Sequence, residues 1–101
     1  MSYYAVIFTS TRTEGDQGYS KMGDRMVELA KDQPGFLGIE SARDDQLGIT
    51  VSYWESEDAI EEWKVHAEHM VARTLGKEKW YKHFHLRVAK VEREYRFTRP
   101  D

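Results

Sequence analysis

Apolar residues along this chain alternate in some stretches and recur every third or fourth position in others, and the two patterns follow a definite order. From Tyr3 to Arg12 they alternate, with Tyr4, Val6 and Phe8 on one side and Tyr3, Ala5 and Ile7 on the other. That predicts a strand with two apolar faces. Thr13 to Gly18 is polar, holds two glycines and reads as a loop. Tyr19, Met22, Met26 and Leu29 then recur at helical spacing with Lys21, Asp24, Arg25 and Glu28 on the wet side, predicting a helix over 19–32. Gln33-Pro34-Gly35 stops it, because proline disfavours helical geometry in the residue before it.

Phe36 to Arg43 and Leu47 to Trp54 read as two more strands. Asp44-Asp45-Gln46 between them is short and turn-forming, so they make a hairpin. In the second of them Ile49, Val51 and Tyr53 face one way, and Thr50, Ser52 and Trp54 the other. Ser56-Glu57-Asp58 opens a second helix, with Ser56 as N-cap and two acids at the positive end of the helix dipole. Ile60, Trp63, Ala67 and Met70 form its stripe, Gly76 is its expected end, and Lys77 to Tyr81 a short helical turn. Lys82 to Phe97 is the expected last strand. It would span roughly 50 Å, against a usual strand of ~5–6 residues. Its phase slips, from Phe84, Leu86 and Val88 to Ala89, Val91 and Tyr95, as a bulge or a change of neighbour would cause.

The order β-α-β-β-α-β predicts an α+β, ferredoxin-like domain over residues 1–101, with a four-stranded antiparallel sheet and both helices on one face. Strands one and four are apolar on both faces, so the uncovered face would expose more apolar surface than a monomer carries. A two-fold homodimer packed sheet to sheet is the simplest remedy, and the over-long last strand would reach the partner.

Composition narrows the function classes. The net charge is −3 with Lys and Arg scattered, which lacks the basic footprint of a nucleic-acid binder. No apolar run approaches the ~20 residues of a membrane span, and Met1-Ser2-Tyr3-Tyr4 has neither the basic nor the apolar region of a signal peptide. The absence of Cys excludes disulfides, Cys-ligated zinc and thiol catalysis, so a cytoplasmic location is expected. Aromatic residues reach 13%, high for so short a chain, and such side chains gather in cores, interfaces and pockets.

Two histidine pairs stand out. His66 and His69 lie i, i+3 on the second helix, nearly on one face. A neutral imidazole there suits removal of a proton from a phenol or hydroquinone; the plain alternative is a pair of half-exposed helix residues. His83 and His85 share a face of the last strand, but nothing in the sequence joins them to the first pair, so no metal site is expected. Trp54, Trp63, Trp80 and Tyr81 are candidates to line a slot for a flat ligand, against simple packing. Trp63 sits on the apolar stripe, where core is the better reading. Met22, Met26 and Met70 read as core filler. Gly15 and Gly18 lack the spacing and the Lys of a phosphate loop.

The segments Gln33-Pro34-Gly35-Phe36-Leu37-Gly38, Tyr53-Trp54-Glu55-Ser56-Glu57-Asp58-Ala59 and Trp63-Lys64-Val65-His66-Ala67-Glu68-His69 follow one another in this order. With the long strand holding Val88, Val91 and Tyr95, they resemble the antibiotic-biosynthesis monooxygenase family of dimeric α/β barrels, over nearly the whole chain. The resemblance implies a pocket between sheet and helices. It also implies an activity found in some members, oxidation of quinol-like aromatics with O₂ and no metal or flavin. Other members degrade haem with a strand-one Asn, a helix-two Trp and an iron-ligating His about ten residues further on. Here Trp63 fits the Trp, strand one has no Asn and position 73 is Arg73, which argues against haem degradation.

Three functions follow in order. The first is a cofactor-independent monooxygenase of a small aromatic, with His66 as catalytic base and Trp63, His69, Trp80, Tyr81 and Trp54 as substrate-binding residues. The second is a non-catalytic module holding haem or another flat hydrophobic ligand, and the third a structural dimer. One fold hosts many functions, so the resemblance alone does not choose among them.

Overall fold

The computed structural model describes residues 2–73 and 79–101, and of 69–73 the backbone alone. Its elements are β1 (Tyr3–Arg12), α1 (Tyr19–Lys31), β2 (Phe36–Arg43), β3 (Gly48–Trp54), α2 (Glu57–Arg73) and β4 (Tyr81–Val91). The strands form one antiparallel sheet in the order β2-β3-β1-β4, the ferredoxin-like arrangement. Gly76, Lys77 and Glu78 lie outside the described residues, and Lys79 and Trp80 of the expected turn are helical.

Local chemistry explains where the helices begin. Gly18 takes a left-handed conformation just before α1 and offers no side-chain cap. Asp16 supplies one instead, accepting the amides of Gly18 and Ser20 at 3.1 Å each. The Ser20 hydroxyl, followed by those amides, holds the Asp16 carboxyl below its ordinary value. At α2 the expected cap is present: Ser56 Oγ accepts the amide of Ala59 at 3.1 Å.

Register decides which side chains meet. On the helix side of the sheet lie Val6, Phe8 and Ser10 of β1, Ser52 and Trp54 of β3, and Phe84, Leu86 and Val88 of β4. The core gathers where β1 and β3 meet the helices: Val6, Trp54, Ala30, Ala59 and Ile60, with Tyr4, Phe36 and Trp63 packed against them. Trp54, whose side was open in the sequence, therefore faces the helices. The α1 stripe is shallower than its periodicity suggests, since Met22, Met26 and Leu29 are half-buried and Ala30 alone is fully buried. The side chain of Met70 is outside the described part.

The last strand differs from expectation in two ways. It ends at Val91, not at Phe97, and the cause lies in its neighbour: Val91 pairs with Tyr3, the first residue of β1, and the ladder stops where β1 does. Tyr95 and Phe97 beyond it are 91% and 74% exposed. Nor does a bulge explain the change of apolar phase, since pairing runs unbroken from Val91 to His83. The irregularity sits instead between Thr11 and Arg12, against Tyr81. Strand β4 carries Phe84, Leu86 and Val88 on the helix side and Ala89 and Val91 on the outer side.

The helices lie on one face, as expected, but do not cover it evenly. Helix α1 packs on β2 and α2 on β3. The helix-side residues of β4 stay open, with Phe84 39%, Leu86 45% and Val88 48% exposed.

Candidate functional site: an open apolar trough between two aromatic clusters

Phe84, Leu86 and Val88 point the same way along β4 and form a strip roughly 13 Å long. Their partners on β1 are Ser10, Phe8 and Val6. The strip is apolar and reaches solvent; rings pack at its Phe84 end, and at the other end Val88 pairs with Val6 of the core.

The first cluster belongs to α2. Val6, the partner of Val88, is part of the core against which Trp63 packs. Trp63 stacks on Trp54 with ring centroids 6.0 Å apart, and the His66 ring lies 5.9 Å beyond it. Trp54 is fully buried and donates its indole N–H to Ser52 Oγ at 2.9 Å. It is foundation, Trp63 is half-buried above it, and His66 is exposed. Of His69 only the backbone is described, on the same helix.

The second cluster closes the other end. The Phe8 ring lies 5.5 Å from Phe84 and 5.6 Å from Tyr81, and Tyr81 meets Tyr19 edge-on at 5.7 Å. Trp80 is buried behind them, its ring 5.9 Å from Tyr19 and its N–H donated to the Gln17 carbonyl at 2.9 Å. It thereby anchors the loop before α1, and it also lines a cavity with Gln17, Lys21 and Met22. Burial pushes the Tyr81 phenol well above the ordinary tyrosine value; its hydrogen bond with Tyr19 acts in the same direction, and Arg12 and Arg43 pull it back.

The sequence candidates are thus divided. Trp54, Trp63 and His66 are brought together, as are Trp80 and Tyr81, but the two groups do not touch. Trp54 and Tyr81 pair with Tyr4 and Arg12, eight positions apart on β1, which is roughly 26 Å. His83 and His85 lie opposite Thr11 and Thr9 on the outer face, away from His66. Among the described residues no three His, Cys, Asp or Glu side chains converge on a point that would hold a metal ion.

Sequence reasoning missed Phe8, Ser10, Arg12, Tyr19 and Arg43 as site residues. The Arg12 guanidinium carbon sits 3.5 Å from the centroid of the Tyr19 ring. It donates through Nε to the Trp80 carbonyl at 2.9 Å and through Nη2 to the carbonyls of Gly15 and Asp16. Arg43 crosses from β2 over Gly48 to reach the Ser10 hydroxyl, and donates to the Ser10 carbonyl at 3.3 Å. A Cβ at Gly48 would collide with that guanidinium, so the glycine opens the lane. An arginine as the last residue of each of two strands, β1 and β2, was the available signal, but only the register shows that the two converge.

The described residues contain no helix long and apolar enough to cross a membrane. Residues 2–75 match the model of the antibiotic biosynthesis monooxygenase family. The Bacillus subtilis (strain 168) protein YqjZ, itself uncharacterized, is 55% identical over 96 residues, which cover 94% of this chain and 84% of the relative. Among solved structures, SnoaB from Streptomyces nogalater, a cofactor-independent oxygenase, superimposes with a TM-score of 0.75 at 13% identity, over 91% of this chain and 95% of its own. Protein PA3566 from Pseudomonas aeruginosa does so with a TM-score of 0.69 at 17% identity, over 94% and 97%. At such identities these likenesses speak for the fold alone. The family match, over residues 2–75, goes further: this chain is a member of the antibiotic biosynthesis monooxygenase family.

Proposed function

We propose that the protein is a cofactor-independent monooxygenase acting on a flat hydroxy-aromatic molecule that lies in the trough. The open apolar strip of Phe84, Leu86 and Val88, with rings packed at its Phe84 end and Val88 paired with Val6 of the core that Trp63 covers, carries this reading. A planar substrate would lie along the strip with one edge toward Trp63 and His66. His66 takes the phenolic proton, which makes the ring electron-rich enough to reduce O₂. A carbon–oxygen bond then forms at a ring C–H. Loss of that hydrogen with cleavage of the O–O bond leaves a new carbonyl, and the second oxygen atom departs as water. The family match and the oxygenase named among the structural neighbours lend support.

O₂ consumption by metal-stripped protein, followed against hydroquinones, catechols and anthrone-like compounds, tests this. Uptake should follow protein concentration and fall about a hundredfold in His66→Ala, the size typical of a lost general base. Stoichiometric binding of haemin or another flat ligand, with no O₂ uptake from any compound, would reassign the trough to holding a ligand without turnover.

The same reading joins two chains through the outer face of the sheet. Ile7, Val51 and Tyr53 are half-buried there beside Ile49, which is 41% exposed, and Tyr95 and Phe97 extend from the end of β4. Light scattering should give twice the 11.9 kDa chain mass, and Val51→Lys, which sets a charge in the middle of that face, should give the single chain. A monomeric wild type would refute the pairing. A cytoplasmic setting belongs to this reading as well, the chain having no cysteine for an oxidising compartment to pair.

A further inference from the structure

Two guanidinium groups stand at the Phe84 end of the trough. Arg12 lies 3.5 Å and Arg43 5.9 Å from the centroid of the same Tyr19 ring. Their described hydrogen bonds go to neutral oxygens: backbone carbonyls for Arg12, and the Ser10 carbonyl and hydroxyl for Arg43. Each arginine has one acid within Coulombic range, Asp16 for Arg12 and Asp44 for Arg43, but those carboxylates accept their described hydrogen bonds from other groups. Asp16 accepts from Ser20 and Gly18, and Asp44 from the amides of Gln46 and Leu47 at 2.8 Å. Ser10 is 2% exposed, and the Tyr19 and Tyr81 rings meet edge-on. Positive charge, two phenol rings and a serine thus gather where the apolar strip stops, beside the aromatic rings of Phe8 and Phe84.

We infer that this cluster binds a carboxylate carried by the flat ligand, so that the ligand class is an aromatic or polycyclic acid and not a neutral quinol. The inference rests on the reading of the trough as the ligand site. An anion set at the end of the apolar strip gains from both guanidiniums, and an arginine fork matches the two oxygens of a carboxylate. Arg43 is the group to make that contact. It is exposed, it arrives on a lane kept clear by Gly48, and it is held by a single residue, whereas Arg12 is tied down by three backbone carbonyls. The apolar skeleton then lies on Phe84, Leu86 and Val88 and points its far edge toward Trp63 and His66.

Calorimetric binding of 1-hydroxy-2-naphthoate and of its carboxamide to the full-length protein tests the inference. The two probes share ring and hydroxyl and differ in charge. Wild type should prefer the carboxylate by about tenfold or more. Arg43→Gln should reduce that preference to about twofold or less, while Phe84→Ala should weaken both probes alike and leave their ratio standing. Thermal melts of each variant separate lost binding from lost folding, and the comparison of the two probes in wild type needs no variant. Equal affinity for acid and amide, no binding of either at millimolar concentration, or a preference unchanged by Arg43→Gln in a folded protein would overturn the proposal. Its failure is distinct from that of the oxygenase reading. Selective carboxylate binding without O₂ uptake sinks only the oxygenase, and uptake that is indifferent to the ligand's charge sinks only the carboxylate site.

Discussion

Replacing Trp54 by Ala should lower the unfolding free energy by about 4 kcal/mol, within the range measured for large aromatic residues truncated in closed cores. The expectation rests on what the indole touches. It is completely buried, it stacks on Trp63 at 6.0 Å and it meets Phe36 edge-on at 5.4 Å. One ring thus links β3 to β2 and to α2. Truncation opens a cavity that these elements cannot collapse into, because the strand on either side of β3 is held by its ladder. It also removes the donor that satisfies the Ser52 hydroxyl, which is 7% exposed, and a buried hydroxyl left without its partner costs about 1–3 kcal/mol. Urea denaturation followed by circular dichroism measures the change. Trp54→Phe should recover part of it by refilling the space, though not the hydrogen bond. A loss below about 1 kcal/mol for the alanine variant would mean that the contacts around this ring are not what holds α2 to the sheet.

Trp54 also shows how far a sequence carries. Alternation placed it opposite Val51 and Tyr53 but left open which face looked toward the helices, because period-two patterning is the same for either choice. The element order, the cap at Ser56, the Pro-Gly stop and the family resemblance were all legible, since each depends on residues close in sequence. The end of β4 was not. Apolar alternation continues to Phe97, and the strand stops at Val91 because β1 begins at Tyr3, a fact of pairing between residues eighty-eight positions apart. The site divides along the same line. Trp63 and His66, three residues apart on one helix, were readable as neighbours. The convergence of Arg12, Arg43, Tyr19 and Tyr81 comes from four different elements, and a glycine on a fifth makes room for it. Trp80 adjoins Tyr81 in sequence, but that its indole N–H reaches the Gln17 carbonyl, sixty-three positions away, is visible only in the fold.

The seat of α2 yields the second large effect. Gly35 has φ +83°, in the left-handed region, and its carbonyl accepts the Glu55 amide at 2.8 Å, one residue before the Ser56 cap. A Cβ built there would stand 2.7 Å from the Cβ of Ala59 in the first turn of α2. Gly35→Ala should therefore cost about 3 kcal/mol: roughly 1–2 for an L-residue in the left-handed region and 1–3 for the overlap. The two parts are separable, because Ala59→Gly removes the collision and leaves the dihedral strain. Measured by urea denaturation in the Ala59→Gly background, Gly35→Ala should cost only the first part, so the double-mutant cycle should show a coupling of about 1–2 kcal/mol. Strict additivity would mean that the turn yields without pressing on the helix, and the overlap would lose its role. If the coupling is present, the single substitution relieves its strain by moving the start of α2 away from β2. Trp63 and His66 ride on that helix, above a trough whose floor belongs to β4 and does not move with them. Gly35→Ala should then lower O₂ uptake from any phenol the wild type oxidises, even at temperatures where the protein stays folded, while Ala59→Gly in the same chain restores it.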